Sequence, residues 1–319
     1  MDGFTNKIIE GDCIDILSGA EKPFADLVFA DPPFNIGYKY DKYHDKKEKE
    51  HYIDWTRKWM AACVNVLKPT GSFYIAIGDD YAANVRVIGE ELGLFARNWI
   101  IWHYTFGQQT KDKFARSHTH IFYFVKDKKN FTFNDWAIRT PSDRQLIYND
   151  KRANSVGKNP DDVWNCYSRV CGTFKERQGW HPCQMPELLL ARIIAASSNA
   201  GDCVLDPFNG SGTTAVVAAK YGRKYCGIDI SKDYVQNTIK RIEQLNRRKQ
   251  ETLYDFDAME IDEIKRLFVE VQIDKTKLLE TKNLMEIFTR QFAIRMNNKK
   301  EYDSGRIACF IKDFSESKK

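Results

Sequence analysis

Apolar runs alternate with helical stripes along most of the chain. Lys7–Leu17 predicts a short strand, a Gly11-Asp12 turn and a helical stub, and the unbroken run Asp26-Leu27-Val28-Phe29-Ala30 predicts a strand buried on both faces. Helical spacing through Ile53, Trp55, Trp59, Met60, Cys63, Val64 and Leu67 stops at Lys68-Pro69-Thr70-Gly71. A strand at Ser72–Gly78, a helix over Tyr81–Leu92 and strands at Asn98–Trp102 and His120–Val125 complete the first half. From Lys126 to Trp180 the rhythm gives way to Asn, Asp, Arg, Tyr and Ser, and so long an irregular stretch in a compact domain points to function. It resumes with a helix at Pro186–Ser198, a strand at Cys203–Pro207, a helix at Thr214–Tyr221, a strand at Tyr225–Ile230 and a long helix into Arg248. Beyond Gln250, apolar spacing through Ile261, Ile264, Leu267 and Phe268, and again through Leu284, Ile287, Phe288 and Phe292, predicts a small charge-laced helical lobe, whose near-balanced charges fit a grip on DNA, a dimer or a solvated face equally well. The alternation predicts an α/β fold with a mostly parallel, doubly wound sheet, divided as 1–126, 127–180, 181–249 and 250–319.

Composition narrows the class without naming a ligand. The chain has 319 residues, 43% hydrophobic and 13% aromatic, enough for a large core, and its 49 basic against 44 acidic residues leave a formal charge of +5. That permits nucleic-acid binding without requiring it, so any basic surface must be local. The eight cysteines form no Cys-x-x-Cys pair and have no matching histidine spacing, which argues against zinc. Several sit in apolar patterns as small hydrophobes, a usage suited to a reducing cytoplasm, and no apolar run approaches membrane-spanning length.

Two motifs close apolar strands, where open α/β sheets place ligands. In Asp31-Pro32-Pro33-Phe34 the prolines fix an extended backbone and remove two N–H donors, leaving carbonyls and a carboxylate as acceptors for an exocyclic amino group. Phe34 offers a face on which a base can stack; an ordinary strand-ending turn is the plain alternative. In Asp206-Pro207-Phe208-Asn209-Gly210-Ser211-Gly212-Thr213-Thr214 two glycines separate a strand from an Ala/Val-rich helix, allowing close backbone approach to a ligand. No Gly-Lys-Ser/Thr follows, so this is not a phosphate loop, and Asp229 after the next strand suits a pair of ribose hydroxyls.

ADPPF, the His181-Pro182-x-Gln184-x-Pro186-Glu187-Leu188-Leu189 stretch, LDPFxGSGTT and Gly227-x-Asp229-Ile230-Ser231, in that order, resemble the prokaryotic beta-group DNA amino-methyltransferases, with the catalytic motif ahead of the cofactor motif. The resemblance spans about Asp12 to Ile242 and includes Ser117-His118-Thr119-His120-Ile121. It implies a Rossmann-like, circularly permuted S-adenosylmethionine-dependent methyltransferase sheet, with 1–126 as the catalytic half, 127–180 as a target-recognition insert, 181–249 as the cofactor-binding half and 250–319 as a C-terminal lobe. It implies further that Asp31 and the Pro32 carbonyl bind the target amino group, with Pro33 in the same catalytic motif, and that Phe34 stacks on the flipped base. Asp206, Phe208, Gly210, Gly212 and Thr213 would line the cofactor site, with Asp229 on the ribose and Asp12 and Gln184 alongside. Position 34 is Phe where the family more often has Tyr, 185 is Met where Lys is common and 183 is Cys where Thr is common. Aspartate at 31 favours adenine over cytosine.

The expected activity is therefore direct methyl transfer to adenine N6 of duplex DNA, with S-adenosylmethionine as cofactor, no metal and the target base flipped into the pocket. Cytosine N4 is the alternative target; an RNA methyltransferase, an inactive DNA-binding relative and a Rossmann oxidoreductase are further readings. The solvated, mobile loop expected over Asn35–Glu50, with Tyr38 and Lys39, is placed to meet DNA. His118, Arg139, Arg144, Arg152 and Arg169 are DNA-contact candidates, since Arg reads guanine edges and equally binds phosphate. A homodimer through the C-terminal lobe and a cognate restriction endonuclease are candidate partners.

Overall fold

The computed structural model describes residues 3–43, 45–108, 110–172, 174–247 and 254–314. In chain order the first elements are β1 (Lys7–Glu10), α1 (Cys13–Ser18), β2 (Ala25–Ala30), α2 (Lys49–Val66), β3 (Leu67–Ile77), α3 (Asp79–Glu91), β4 (Phe95–Gln108) and β5 (Arg116–Val125). Then come α4 (Asp143–Leu146), β6 (Val163–Trp164), α5 (Glu187–Ser197), β7 (Cys203–Asp206), α6 (Thr213–Lys220), β8 (Lys224–Asp229) and α7 (Lys232–Arg247). The helices α8 (Ala258–Val271), α9 (Lys275–Glu280), α10 (Lys282–Arg295) and α11 (Ser304–Asp313) follow. Arg248 and Gln250, where the sequence ends the long helix and begins the lobe, lie outside the described residues.

The α/β expectation holds. One eight-stranded sheet runs in the order β1-β8-β7-β2-β3-β5-β4-β6 and is parallel except where β5 lies antiparallel to β3 and β4. Strands β2 and β7, far apart in sequence, pair directly, Leu27 with Val204 and Val28 with Leu205. Their interiors are fully apolar because helices cover both faces: Val28, Ala30, Phe73, Ile75 and Leu205 pack with Trp59, Met60 and Cys63 of α2 in one core. β1 pairs with β8, so the first strand belongs beside the glycine-loop strands and not with the first half of the chain.

The chain forms two compact units: one holds the sheet, through Phe133, Asp162–Val170 and Glu176–Arg247; the other holds Asn134–Asp161, Cys171–Lys175 and the helices after Arg247. These boundaries differ from those of the four-part division, since residues 127–180 are shared between the two units. Residues 162–170 stay with the sheet, since β6 pairs with β4 and Trp102 Nε1 donates to the Tyr167 carbonyl at 2.7 Å. Residues 134–161 fold with the C-terminal helices instead. Buried Arg266 donates to the Ala137 carbonyl at 2.6 Å and buried Arg295 to the Arg139 carbonyl at 2.6 Å. The charges of the lobe are partly interior: Glu263, Arg266 and Glu270 share one stripe of α8, and the two glutamates pair with both Arg266 and Arg295 beside Ile264, Leu267, Phe288 and Phe292. Among the described residues, no helix is long and apolar enough to cross a membrane.

Candidate active site

The parallel strands β1, β8, β7 and β2 all finish at one end of the sheet and deliver Asp12, Asp229, Asp206 and Asp31 to a single cavity of ≈ 290 Å³. Asp12 caps α1, accepting from Ile14 N at 2.7 Å. Asp206 accepts from Phe208 N at 3.0 Å and from the Thr214 hydroxyl at 2.6 Å; Asp229 accepts from Gly210 N at 2.7 Å and Ser231 N at 2.9 Å. Gly210 and Gly212 have φ of +46° and +74°. A Cβ at Gly210 would lie 2.8 Å from His181 Nε2 and one at Gly212 2.4 Å from Thr238, so both conformation and space demand glycine. Gly212 thus shapes the turn from outside the cavity lining, whereas Gly210, Phe208 and Thr213 line it.

Electrostatics set this cavity apart. Among the described residues no basic side chain comes within ion-pair distance of Asp31, Asp206 or Asp229. Burial pushes Asp31 up to about 7, with Asp206 adding to the rise and Arg169 opposing it. Burial also pushes Asp206 up to about 7 against its hydrogen bonds, and raises Asp229, helped by Asp41. Ionising three carboxylates together in one desolvated space is unfavourable, and a bound cation relieves it.

The Asp31-Pro32-Pro33-Phe34 turn is only partly in the cavity. Asp31 and Pro33 line it, and the Pro33 carbonyl accepts from the Tyr52 hydroxyl at 2.6 Å. Pro32 is buried and outside the lining, while Phe34 lies against Gly78, whose Cβ position is 3.3 Å from the ring. Gln184 is also outside the lining. It accepts from Gln178 N at 2.8 Å and donates to the Glu176 carbonyl at 2.9 Å, bracing a stretch whose His181, Cys183 and Met185 do face the cavity. His181 is driven down to about 4 by burial and stays neutral, with Nδ1 accepting from Cys183 N at 3.3 Å.

The loop after the turn is pinned, contrary to the mobile loop expected. Asp45 accepts the N–H groups of Asn35, Ile36 and Tyr38 at 2.7, 3.2 and 2.9 Å, and Asn35 bonds both N–H and C=O of Lys47. Asp41 accepts from the Ser231 hydroxyl at 2.7 Å, so Tyr40, Asp41, Lys42 and Tyr43 form a wall of the cavity. Tyr43, Trp55 and Phe208 continue that wall as aromatic neighbours with centroids 5.6 Å apart at each step. Tyr38 and Lys39 stay exposed on its outer side.

One support has no sequence signal. Arg241 of α7 donates to the Ser211 carbonyl at 2.9 Å and pairs with Glu187, which also holds Lys220 at 2.7 Å. Burial alone would raise Glu187, but the two cations hold it below the usual range; nearby Glu176 is pushed up to about 7 by burial and by Glu187. The glycine loop is thereby tied to α5, α6 and α7.

The remaining DNA-contact candidates scatter. Arg169 lies over the Tyr104 ring at 5.1 Å with its charge toward Asp31. Arg139 pairs with Asp135, and Arg144 and Arg152 share Asp150 in the helical unit, holding its carboxyl well below the ordinary range. His118 neighbours His120 with centroids 4.8 Å apart. With Asp79 these two form a group of metal-ligand type, but Asp79 already pairs with Arg116 at 2.9 Å and His120 Nδ1 accepts from Trp99 Nε1 at 2.9 Å.

Residues 25–241 match the N6/N4 methyltransferase family described as "DNA methylase". Type II methyltransferase M.HpaI of Haemophilus parainfluenzae is 37% identical over 238 residues, 74% of each chain. DNA adenine methyltransferase YhdJ of Escherichia coli (strain K12) is 38% identical over 256 residues, 77% of this chain and 85% of that one. Among solved structures, the M1.HpyAVI–SAM complex superposes with TM-score 0.51 at 22% identity, over 74% of this chain and 98% of that one. PvuII DNA methyltransferase, named as cytosine-N4-specific, gives 0.58 at 17% identity, over 92% and 96%. At these identities the structural likeness is one of fold alone.

Proposed function

Because the chain belongs to the N6/N4 DNA methylase family and is a DNA methyltransferase, we propose that it methylates adenine N6 in duplex DNA with S-adenosylmethionine as donor. The observation that carries this reading is the convergence of Asp31, Asp206 and Asp229 on one cavity in which, among the described residues, none of the three is ion-paired, not even with Lys42 or Lys47 of the lining. Carboxylates and hydroxyls aimed at an aromatic-walled space suit a cationic nucleoside with two ribose hydroxyls; they do not suit a phosphate-bearing dinucleotide. S-adenosylmethionine supplies an electrophilic methyl group on a positively charged sulfur when bound.

The chain's own residues then do two things. Asp229, fixed by two backbone N–H groups, offers its remaining lone pairs to the ribose, and the loop 206–214 lets backbone approach the ligand. Asp31, ionised, accepts a proton of the adenine amino group as a hydrogen bond and orients the nitrogen lone pair. A base within a duplex cannot reach Asp31, so the target must leave the stack. Aspartate in the clamp and the adenine methyltransferase among the relatives support N6 over cytosine N4. All eight cysteines are free, which fits work in a reducing cytoplasm.

The test is nucleoside mass spectrometry of DNA from a host expressing the chain, with base-resolved mapping of the modified site. N6-methyladenine in a defined sequence supports the reading, N4-methylcytosine replaces it with the cytosine alternative, and the absence of either with intact protein overturns it.

A further inference from the structure

The hairpin joining β4 to β5 is the feature that the reading above leaves unused. Ala30 at the end of β2 pairs with Ile75, and Ile77 at the end of β3 pairs with His120 of β5. β5 therefore continues toward its own start, through Arg116, past the sheet end that carries Asp31. The overhang from His120 to Arg116 is about 13 Å at strand rise, and the tip follows beyond it. Its base is stiff: Arg116 pairs with Asp79 at 2.9 Å and Asp80 at 3.3 Å at the start of α3, and its backbone pairs with Gln108. At the tip the side chain of Phe114 is 99% exposed, the most exposed large hydrophobic residue described, between exposed Lys113 and Ala115 with Lys111 nearby.

The Phe114 ring stands wholly in water on a braced arm, with Lys113 and Lys111 on its N-terminal side and Asp112 between them. A lone exposed ring needs no partner by itself, and it is the arm's place beside the sheet end carrying Asp31 that points to one. The lysines choose a polyanion, and the arm's direction chooses the DNA that enters at Asp31. Apolar wedges inserted between base steps are a known means of holding a distorted duplex. We propose that Phe114 inserts into the bound duplex beside the target base, filling the stack while that base occupies the cavity, with Lys111 and Lys113 on the flanking phosphates. This rests on the DNA-methylation reading and adds to it the residue that holds the extruded state.

The test uses the full chain and two synthetic duplexes containing the mapped site, one fully paired and one with an abasic position opposite the target, where extrusion is easy. Phe114→Ala should lower turnover on the paired duplex by about 10- to 100-fold, the worth of a lost stacking contact, and by less than about threefold on the abasic one. Phe114→Trp should restore turnover on the paired duplex. Binding of S-adenosylmethionine should be the same in all three proteins, which separates insertion from misfolding. Equal losses on both duplexes, or no loss on the paired one, overturn the proposal. If the unaltered chain methylates neither duplex, the activity reading itself falls, and the insertion with it.

Discussion

In the helical unit, Glu263 and Glu270 are enclosed together with Arg266 and Arg295, whereas in the sheet unit Asp31, Asp206 and Asp229 face a cavity with no such partner. The first arrangement is closed: each charge is matched and the guanidinium groups also hold the carbonyls of 137–139. The second is open. Burial raises its carboxylates toward neutrality, Arg169 opposes the rise only at Asp31 and from the exposed side, and among the described residues neither Lys42 nor Lys47 of the lining pairs with them. Buried charge alone therefore does not identify a site, since both units have it. Buried charge lacking its counter-ion does, because folding has left the balancing charge to a ligand.

The comparison breaks first in the helical unit. Glu263→Gln leaves Arg266 and Arg295 underbalanced and should cost about 3–5 kcal/mol of stability, read as a lower urea midpoint; an unchanged midpoint would mean that the cluster is incidental. In the sheet unit the same chemistry should behave differently. Asp31→Asn should leave the urea midpoint at pH 8 unchanged or raised, because a poorly solvated charge is removed, while methyl transfer to DNA falls by about 10²- to 10³-fold. A loss of folding in that variant would show that Asp31 is structural.

Much of this was legible beforehand, for reasons tied to particular residues. The strand ends were marked by continuous apolar runs stopping at Asp31-Pro32-Pro33 and Asp206-Pro207, and parallel topology forces such ends to one side of the sheet. The pinned loop was not legible, since Asn35, Asp45 and Lys47 look like solvated polar residues until their partners are known. Nor was the partition of the insert, which is decided by Arg266 and Arg295, about 130 and 156 residues away from the carbonyls they hold. Arg241 reaches the glycine loop from a helix face that by its pattern should be solvent. Long-range polar contacts leave no periodic trace.

A smaller effect sharpens the contrast within the site. Asp31 sits against Asp206 on β7, Tyr40 on the loop, Cys183 and Arg169, and only the last favours its ionised form. On the proposal that Asp31 acts ionised, kcat/KM, which reports the ligand-free protein, should rise with pH through about 7, and the limb in kcat should lie lower because the bound cation favours the ionised form. Arg169→Met should move the kcat/KM limb upward by about half to one pH unit, and Arg169→Lys should return it. A change confined to DNA affinity and its salt dependence would make Arg169 a phosphate contact instead.

The most direct measurement is calorimetric titration of the intact chain with S-adenosylmethionine and with its product S-adenosylhomocysteine, which lacks the sulfonium charge, in buffers of different ionisation heat between pH 6 and 8. Asp31 and Asp206, raised to about 7, are partly protonated near pH 6.5 in the ligand-free protein. A cation favours their ionised forms, so its binding should release protons, and its affinity should climb with pH and level off above about 7. S-adenosylhomocysteine should release fewer protons and show a flatter profile. Equal, pH-independent binding of the two without proton release would contradict the claim that this cavity was left open for a positive charge.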